Sequence, residues 1–589
     1  MNRKHYICRT MFLRILWPSL ISSVALAIAD VADALVIGNR MGESGLAAIG
    51  IVTPLYMILN LLGYGFSTGG CVEFSRMAAE GREEDALRHF KTMGTMLFGL
   101  GVVLAIAGNL LMRPLLGLLG AGNGSPELYG LCEQYGRPLV TAIPIFFLNF
   151  ILYDFVRCDN DAPRATLGFS AGCITDLGLN IWFVLGLGLG VRGSILATII
   201  AQTVSVLILL THFFNGRGLM NIPSLAKAKL AIGKEIWHSL HIGFSSSIRY
   251  VFQFLFLLLG NRMLLRAGEL GLIKGDLYVA VFDVVMNISY IFLGIYQAFS
   301  DTMQPLASTF AAEHDRDDLK YLVRMAMATG LMIGVPAVAA AAILAGGVSS
   351  FFGLGDAASL EVAVPAIRLF CLSTPLAGLL VILTGFFQSS GRERLAGIIT
   401  VLRKAVFLLP VTALLGMYAA KEFWWLFVAA EGATMLIVVT VIRGRLLKKQ
   451  DVEVPVYSAT MDNQHHELSR VLEEVEAFCE TQEIPMKKAI LIQLAVEELC
   501  VVTMEKAFSG QADEYIQLTL AQEENGDHVL HIRNSAPYFN PLDLRMGRIN
   551  NRNEQEDLMD SVGVMMVKKK VKSLHFRNYE GFNMMTVVI

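Results

Sequence analysis

Apolar stretches long enough to cross a bilayer recur up to about residue 445 and then cease at RGRLLKKQDVEVP. A spanning helix needs about 20 mainly apolar residues. Roughly twelve segments meet that length rule. The first six lie near 17–37, 47–69, 92–112, 139–155, 167–187 and 195–213. The second six lie near 242–263, 279–299, 322–344, 366–386, 398–415 and 423–441. Only 17% of residues are charged, against about a quarter in soluble domains. The deficit is confined to the ladder of spans. Beyond Lys449 the composition is that of a soluble unit, so the expected fold class is an all-α membrane protein with a C-terminal α/β sandwich domain.

Loop charges give an orientation. Arg76, Arg82, Arg88 and Lys91 follow the second span, Arg157 and Arg164 the fourth, and Lys227, Lys229 and Lys234 the sixth. Arg316, Lys320 and Arg324 follow the eighth, and Arg392, Arg394, Arg403 and Lys404 the tenth. Basic loops stay in the cytoplasm, so both termini and the soluble domain are expected there, at the inner (plasma) membrane. Arg262, Arg266 and Lys274, after the seventh span, break the rule. The basic start MNRKHYICRTMFLR resembles a signal peptide. It has no small-residue cleavage site, however, and leads into a span with two aspartates, so it reads as a retained first helix.

The halves repeat. GFSTGGCVEFSRMAAEGREEDAL aligns without a gap with AFSDTMQPLASTFAAEHDRDDLK, and Glu313 lies 233 residues after Glu80. Two parallel six-helix repeats are a transporter plan, with the substrate path between the halves. The expected division is 1–220 and 221–446 for the repeats, 447–460 for a linker and 461–589 for the soluble domain.

A carboxylate at mid-bilayer costs on the order of 3 kcal/mol and needs a reason to be there. Asp30 and Asp33 share a helix face in span one. Asp176 and Asn180 share one in span five, and Asp283 and Asn287 in span eight. Their oxygens suit Na⁺, or a carboxylate could exchange a proton when desolvated. Each could equally be a hydrogen-bonded packing group. Arg249 is expected to snorkel at a helix end. Eight cysteines without a CxxC pair read as packing thiols, with no disulfide or metal site expected. No basic patch points to nucleic acid.

IADVADALVIGNRMGESGLAAIGIVTP resembles the opening of the multidrug and toxic compound extrusion family, with Asp33 and Gly38 at the family's Asp and Gly positions. RCDNDAPRATLGFSAGCITDLGLNIWFVLGLGLGVRGSILATIIAQ is similar to its fifth and sixth spans, although the family reads Asn before Asp where this chain reads Asp176 before Asn180. The resemblance implies H⁺- or Na⁺-coupled export of amphiphilic, often cationic compounds. It makes Asp33 the foremost coupling group, with Asp176 and Asn180 as a second pair and Asp30 and Asp283 as further candidates. Competing readings are a membrane sensor that signals through the soluble domain and a flippase for lipid-linked precursors.

In the soluble domain, helices are expected over His465–Phe478, Met486–Phe508 and near Val562–Val571, and strands at YIQLTLA, HVLHIRN, LHFRNY and MMTVVI. LAVEELCVVTMEKAF, IRNSAPYFNPL and DSVGVMMVKKKV resemble the three boxes of the Bergerat-type ATP-binding fold of anti-sigma serine kinases. Glu498 occupies the base position, but Val502 stands where a Mg²⁺-binding Asn belongs. Asn534 replaces the Asp that reads adenine, and Gly563 is the sole glycine kept in the third box. The resemblance therefore implies weak ATP binding without Mg²⁺-dependent hydrolysis, or binding of a cytoplasmic regulatory protein. No catalytic residue is assigned. His465 and His466 read as a solvated helix start.

Overall fold

The computed structural model describes residues 5–79, 82–123, 125–159, 161–214, 219–230, 234–442, 455–508, 514–522, 526–543, 562–579 and 582–589. The first repeat is built from α1 (Tyr6–Ala79), α2 (Glu83–Leu110), α3 (Pro126–Thr141), α4 (Ile143–Cys158), α5 (Ala162–Asn180) and α6 (Gly190–Leu210). The second contains α7 (Lys234–Glu269), α8 (Gly275–Ala312), α9 (Arg316–Ile343), α10 (Ala357–Ser389), α11 (Glu393–Val401) and α12 (Trp425–Ile437). Gly42 breaks α1 into two arms, at φ 61° and ψ −141°. α3 and α4 together form one span bent by 51°. Counting both arms of α1, that bent pair and the shorter apolar helix Trp425–Thr440, the described residues supply twelve crossings.

The fifth span of each repeat is irregular. α5 widens into a π turn at Ile181–Gly186, and α11 does so at Leu402–Leu408 before continuing as Leu409–Tyr418. Such turns leave backbone groups free to be reused and often mark working positions. The second one carries Arg403, whose Nε donates to Glu431 on α12 at 2.7 Å. Arg403 is thus a paired intramembrane charge and not part of a loop, as its place after the tenth span had implied.

The soluble domain has five strands: β1 (Val456–Asp462), β2 (Tyr515–Gln522), β3 (His528–Asn534), β4 (Ser573–Tyr579) and β5 (Phe582–Val588). They form one antiparallel sheet in the order β1-β2-β3-β5-β4. β1 starts inside the stretch read as linker. Its VYSATMD alternation is short and half polar, which gave little strand signal. Period-two alternation then splits the sheet into two faces. Leu518, Leu520, Leu530, Ile532, Met585 and Val587 pack against α13 (His465–Thr481), α14 (Met486–Val502) and a helix over 562–570. The opposite face, with Gln517, His531, Arg533 and Phe582, lies against the membrane bundle.

The basic start of the chain belongs to that contact. α1 begins at Tyr6, before the apolar span, and Ile7, Cys8, Met11, Phe12 and Leu16 are buried with Phe299, Phe310 and Phe582. Cys71 and Cys158, 87 residues apart, are joined as a disulfide with Cα atoms 6.3 Å apart. This corrects the reading of Cys71 as a lone packing thiol; two cysteines so far apart in sequence carry no spacing signal.

Candidate functional site

A cavity of about 730 Å³ lies between the repeats. Asp33 stands on its first-repeat wall, half-buried. α1, α5 and α6 meet there because Asn180 closes the last turn of α5 and Thr198 lies one turn after Ser194 on α6. Asn180 Nδ2 donates to Asp33 Oδ1, and Thr198 Oγ1 donates to Asp33 Oδ2 at 3.3 Å. Asn180 Nδ2 also reaches Ser194 Oγ at 3.3 Å. No donor among the described residues meets the buried Asn180 Oδ1. A carboxylate, an amide oxygen without a donor and a hydroxyl form a compact oxygen-rich set. Hard monovalent cations and protons both suit such a set. Among the described residues no cluster of three or more His, Cys, Asp or Glu side chains could hold a metal.

Asp176 lines the same cavity one turn before Asn180. Asp283 lies across it on α8, buried, and accepts from Asn287 Nδ2 at 3.0 Å. The candidates on three spans therefore converge on one space. Asp30 is a helical position of α1 whose side chain lies outside the described residues. Arg249 was expected to snorkel at a helix end. It lines the cavity instead, with its guanidinium 5.0 Å from the Tyr250 ring centroid and Nη2 donating to Tyr250 Oη at 3.2 Å. The sequence does not mark which side of a span faces a cavity, and a cavity wall is where an intramembrane charge is expected.

Sequence reasoning passed over Thr198, although it sits in the quoted GSILAT run; its Ser194–Thr198 spacing was the available signal. It also missed the Tyr56, Tyr135 and Asn261 lining, because each looks like ordinary span composition. The repeats touch at both ends of the cavity. Near the soluble domain, Gly65 and Gly69 of α1 meet Ser239 and Gly243 of α7 so closely that a Cβ at Gly69 or Gly243 would overlap the facing carbonyl. At the far end the Phe352 carbonyl fills the place of a Cβ on Gly38, and Asn39 Nδ2 donates to Phe351 O at 2.6 Å. Gly38 is thus required by a close approach between the repeats.

The soluble domain carries the second group of candidates. The Glu498 carboxylate on α14 occupies the place a Cβ would take on Gly563. Asn534 is buried at the end of β3, where its Oδ1 accepts from Asn583 Nδ2 at 3.0 Å and Ala536 N at 3.2 Å. Asn583, which the sequence did not single out, also donates to Pro537 O at 2.9 Å. The residue in the adenine-reading position is therefore engaged by its own sheet.

The docked face is polar and buried. Arg533 pairs with Glu313, at the end of α8, and lies 4.7 Å over the Phe310 ring. Gln517 Nε2 donates to Asp318 Oδ2 at 2.5 Å, and His5 Nδ1 meets the other oxygen of Asp318 at 2.5 Å. Ser458 Oγ donates to Asp315 at 3.3 Å. Burial pushes Arg533 down to about 9 and His531 down to about 4, and it raises the Asp315 carboxyl. Glu313 belongs to the AAE run that marks the repeat; the sequence shows that run without its partner.

The MatE family profile matches this chain twice, over residues 18–182 and 250–414. The chain belongs to the MatE family. The second match begins 232 residues after the first, within one residue of the offset read from the AAE alignment. Residues 461–589 match the histidine kinase-like ATPase domain. The probable multidrug resistance protein YoeA of Bacillus subtilis is 24% identical over 454 residues, covering 74% of this chain and 93% of YoeA. The multidrug export protein MepA of Staphylococcus saprophyticus is 22% identical over 437 residues, covering 73% of this chain and 93% of MepA. An inward-facing structure of a multidrug resistance MATE family transporter superposes with a TM-score of 0.62 at 20% identity, over 73% of this chain and 97% of that one. A MOP superfamily transporter from Pyrococcus furiosus gives 0.58 at 21% identity, over 76% and 98%. The membrane part of this MatE-family chain therefore has the transporter fold, with an additional soluble domain.

Proposed function

We propose that this chain is a secondary exporter that exchanges H⁺ or Na⁺ for amphiphilic, cationic small molecules, and that its soluble domain sets the rate. The observation that carries the reading is Asp33. It is a half-buried carboxylate on the wall of the cavity between the repeats, held by Asn180 and Thr198. Cation entry and cargo binding compete for the negative charge of that wall. Loading the oxygen set around Asp33 neutralises it and releases cationic cargo; unloading restores affinity. Asp176 supplements this charge and Asp283 supplies a second one opposite. Three carboxylates face the cavity against the single guanidinium of Arg249. That balance supports cationic cargo over an anionic lipid-linked precursor. The names of YoeA and MepA support a drug-like substrate class.

The basic even-numbered loops support a plasma-membrane orientation with both termini in the cytoplasm. The soluble domain then acts from the cytoplasmic side, through the start of α1 and the end of α8. Val502 in place of a metal ligand, and Asn534 engaged by Asn583, support nucleotide binding that is weak and without hydrolysis. Calorimetry of ATP against the full chain measures that affinity directly.

The test of transport is Asp33→Asn in an efflux-deficient host, with and without sodium. The expected result is loss of drug resistance at unchanged membrane abundance. Retained efflux at normal abundance would overturn the role given to Asp33.

A further inference from the structure

Two arginines of α7 are used neither by the cavity nor by the docked domain. They are also two of the three charges that break the loop rule, the third being Lys274. Arg249, Gln253, Leu257 and Asn261 of α7 line the central cavity. At about 3.6 residues per turn, Leu255, Leu259, Arg262 and Arg266 stand on the opposite side of the helix. There they border a separate groove of about 360 Å³, together with Leu258 and Leu409. The groove opens on the outside of the bundle, where Leu255 is 38% exposed and Arg262 and Arg266 are exposed, on two helices apolar enough to cross a membrane.

Among the described residues no carboxylate forms an ion pair with Arg262 or Arg266, and both are exposed. Arg266 lies in the last turn of α7, where the helix dipole favours a cation. Arg262 is a turn deeper, and the dipole does not account for it. Leu255 and Arg266 are separated by eleven residues, or about 16 Å of helix rise. One leaflet of hydrocarbon is about 15 Å deep, half the usual core. The groove therefore offers an acyl-length apolar channel with two guanidiniums at its headgroup end. Guanidinium matches a phosphodiester in charge and in bidentate geometry.

We propose that this groove holds an anionic phospholipid from the leaflet away from the soluble domain. Its acyl chains lie along Leu255, Leu259 and Leu409, and its phosphate sits between Arg262 and Arg266. Two of the three positive charges that break the loop rule on that side then form a lipid site and are not a topology signal.

The test uses the full chain purified from micelles containing equal parts phosphatidylglycerol and phosphatidylcholine, with retained lipids counted by native mass spectrometry. Two guanidiniums near the headgroup plane give an expected preference of about 30-fold for the anionic lipid. Arg262→Gln with Arg266→Gln should bring retention close to parity, and Arg262→Lys with Arg266→Lys should keep most of the preference. Leu259→Trp, which fills the groove but leaves both charges, should also remove it. Equal retention of the two lipids by the native chain would overturn the proposal. So would an unchanged preference in the double Gln variant or in the Leu259→Trp variant.

Discussion

Removing the guanidinium of Arg533 should release the soluble domain from the membrane bundle. Arg533 and Glu313 are both nearly inaccessible, with side chains 2% and 5% exposed. Arg533→Met keeps the stem that lies over Phe310 but leaves the Glu313 carboxylate buried without its partner. Breaking one side of such a pair costs about 3–5 kcal/mol. Docking within one chain has no translational cost to offset this, so the open population should rise by a factor of about 10² to 5 × 10³. Glu313→Gln combined with Arg533→Met removes both charges and should restore most of the docking, because no uncompensated ion remains. Amide hydrogen exchange reads the outcome. In Arg533→Met, protection should fall at the start of α1, across residues 313–318 and along β2 and β3, and it should return in the double variant. Transport rate should follow the same order. Unchanged protection in the single variant, or equal losses in both variants, would refute the ion pair as the element that holds the domain in place.

Two further outcomes follow from buried groups. His531 is held near 4 by burial, against an ordinary value of about 6.5, so the docked form favours the neutral ring. Its contribution is complete above about pH 6.5 and is lost as pH falls toward 4, at a cost of at most about 3 kcal/mol. Glu313, 3.5 Å away, reduces that cost. Exchange protection at the dock should therefore fall between pH 6.5 and 5, and His531→Asn should flatten the profile; a flat profile in the native chain would refute the assignment. In the membrane part, Tyr296 on α8 is buried between Gly334 and Gly378, and no partner among the described residues meets its hydroxyl. Tyr296→Phe should be neutral or stabilising by about 1 kcal/mol, whereas Gly378→Ala, which intrudes on the ring, should destabilise by about 1–3 kcal/mol; thermal unfolding in detergent distinguishes the two.

The spans and their pairing into repeats were legible because hydropathy and the AAE alignment are local or in frame. Asp33, Asp176, Asn180 and Asp283 could be found because carboxylates and amides are rare in such spans. What could not be read was which of them meet. Asn180 reaches Asp33 across 147 residues of chain, and nothing in either span specifies the other. The same limit hid the Cys71–Cys158 bridge and the Arg403–Glu431 pair. Arg249 was misplaced because a span's cavity side and its lipid side look alike in sequence. In the soluble domain the helices and four strands followed from their periodicity. The docked face did not, because alternation marks two faces of a strand without saying whether a polar one meets water or protein. Arg533 and Gln517 lie on the polar face of their strands, and the bundle that buries them lies far upstream, with Asp318 199 residues before Gln517.

α1 begins under the soluble domain, where the Tyr6 ring lies tilted against that of Tyr515, and passes Asp33 before it meets the far-side loop at Gly38. At about 1.5 Å per residue the first helical turn and the acid are roughly 40 Å apart on one rod. Pro18 is the one interruption of the hydrogen-bond ladder along that stretch. A tug of a few ångströms on the leading turn has nowhere to dissipate except at that proline. Whatever grips or frees the beginning of this polypeptide therefore also holds the lever arm on which Asp33 is mounted.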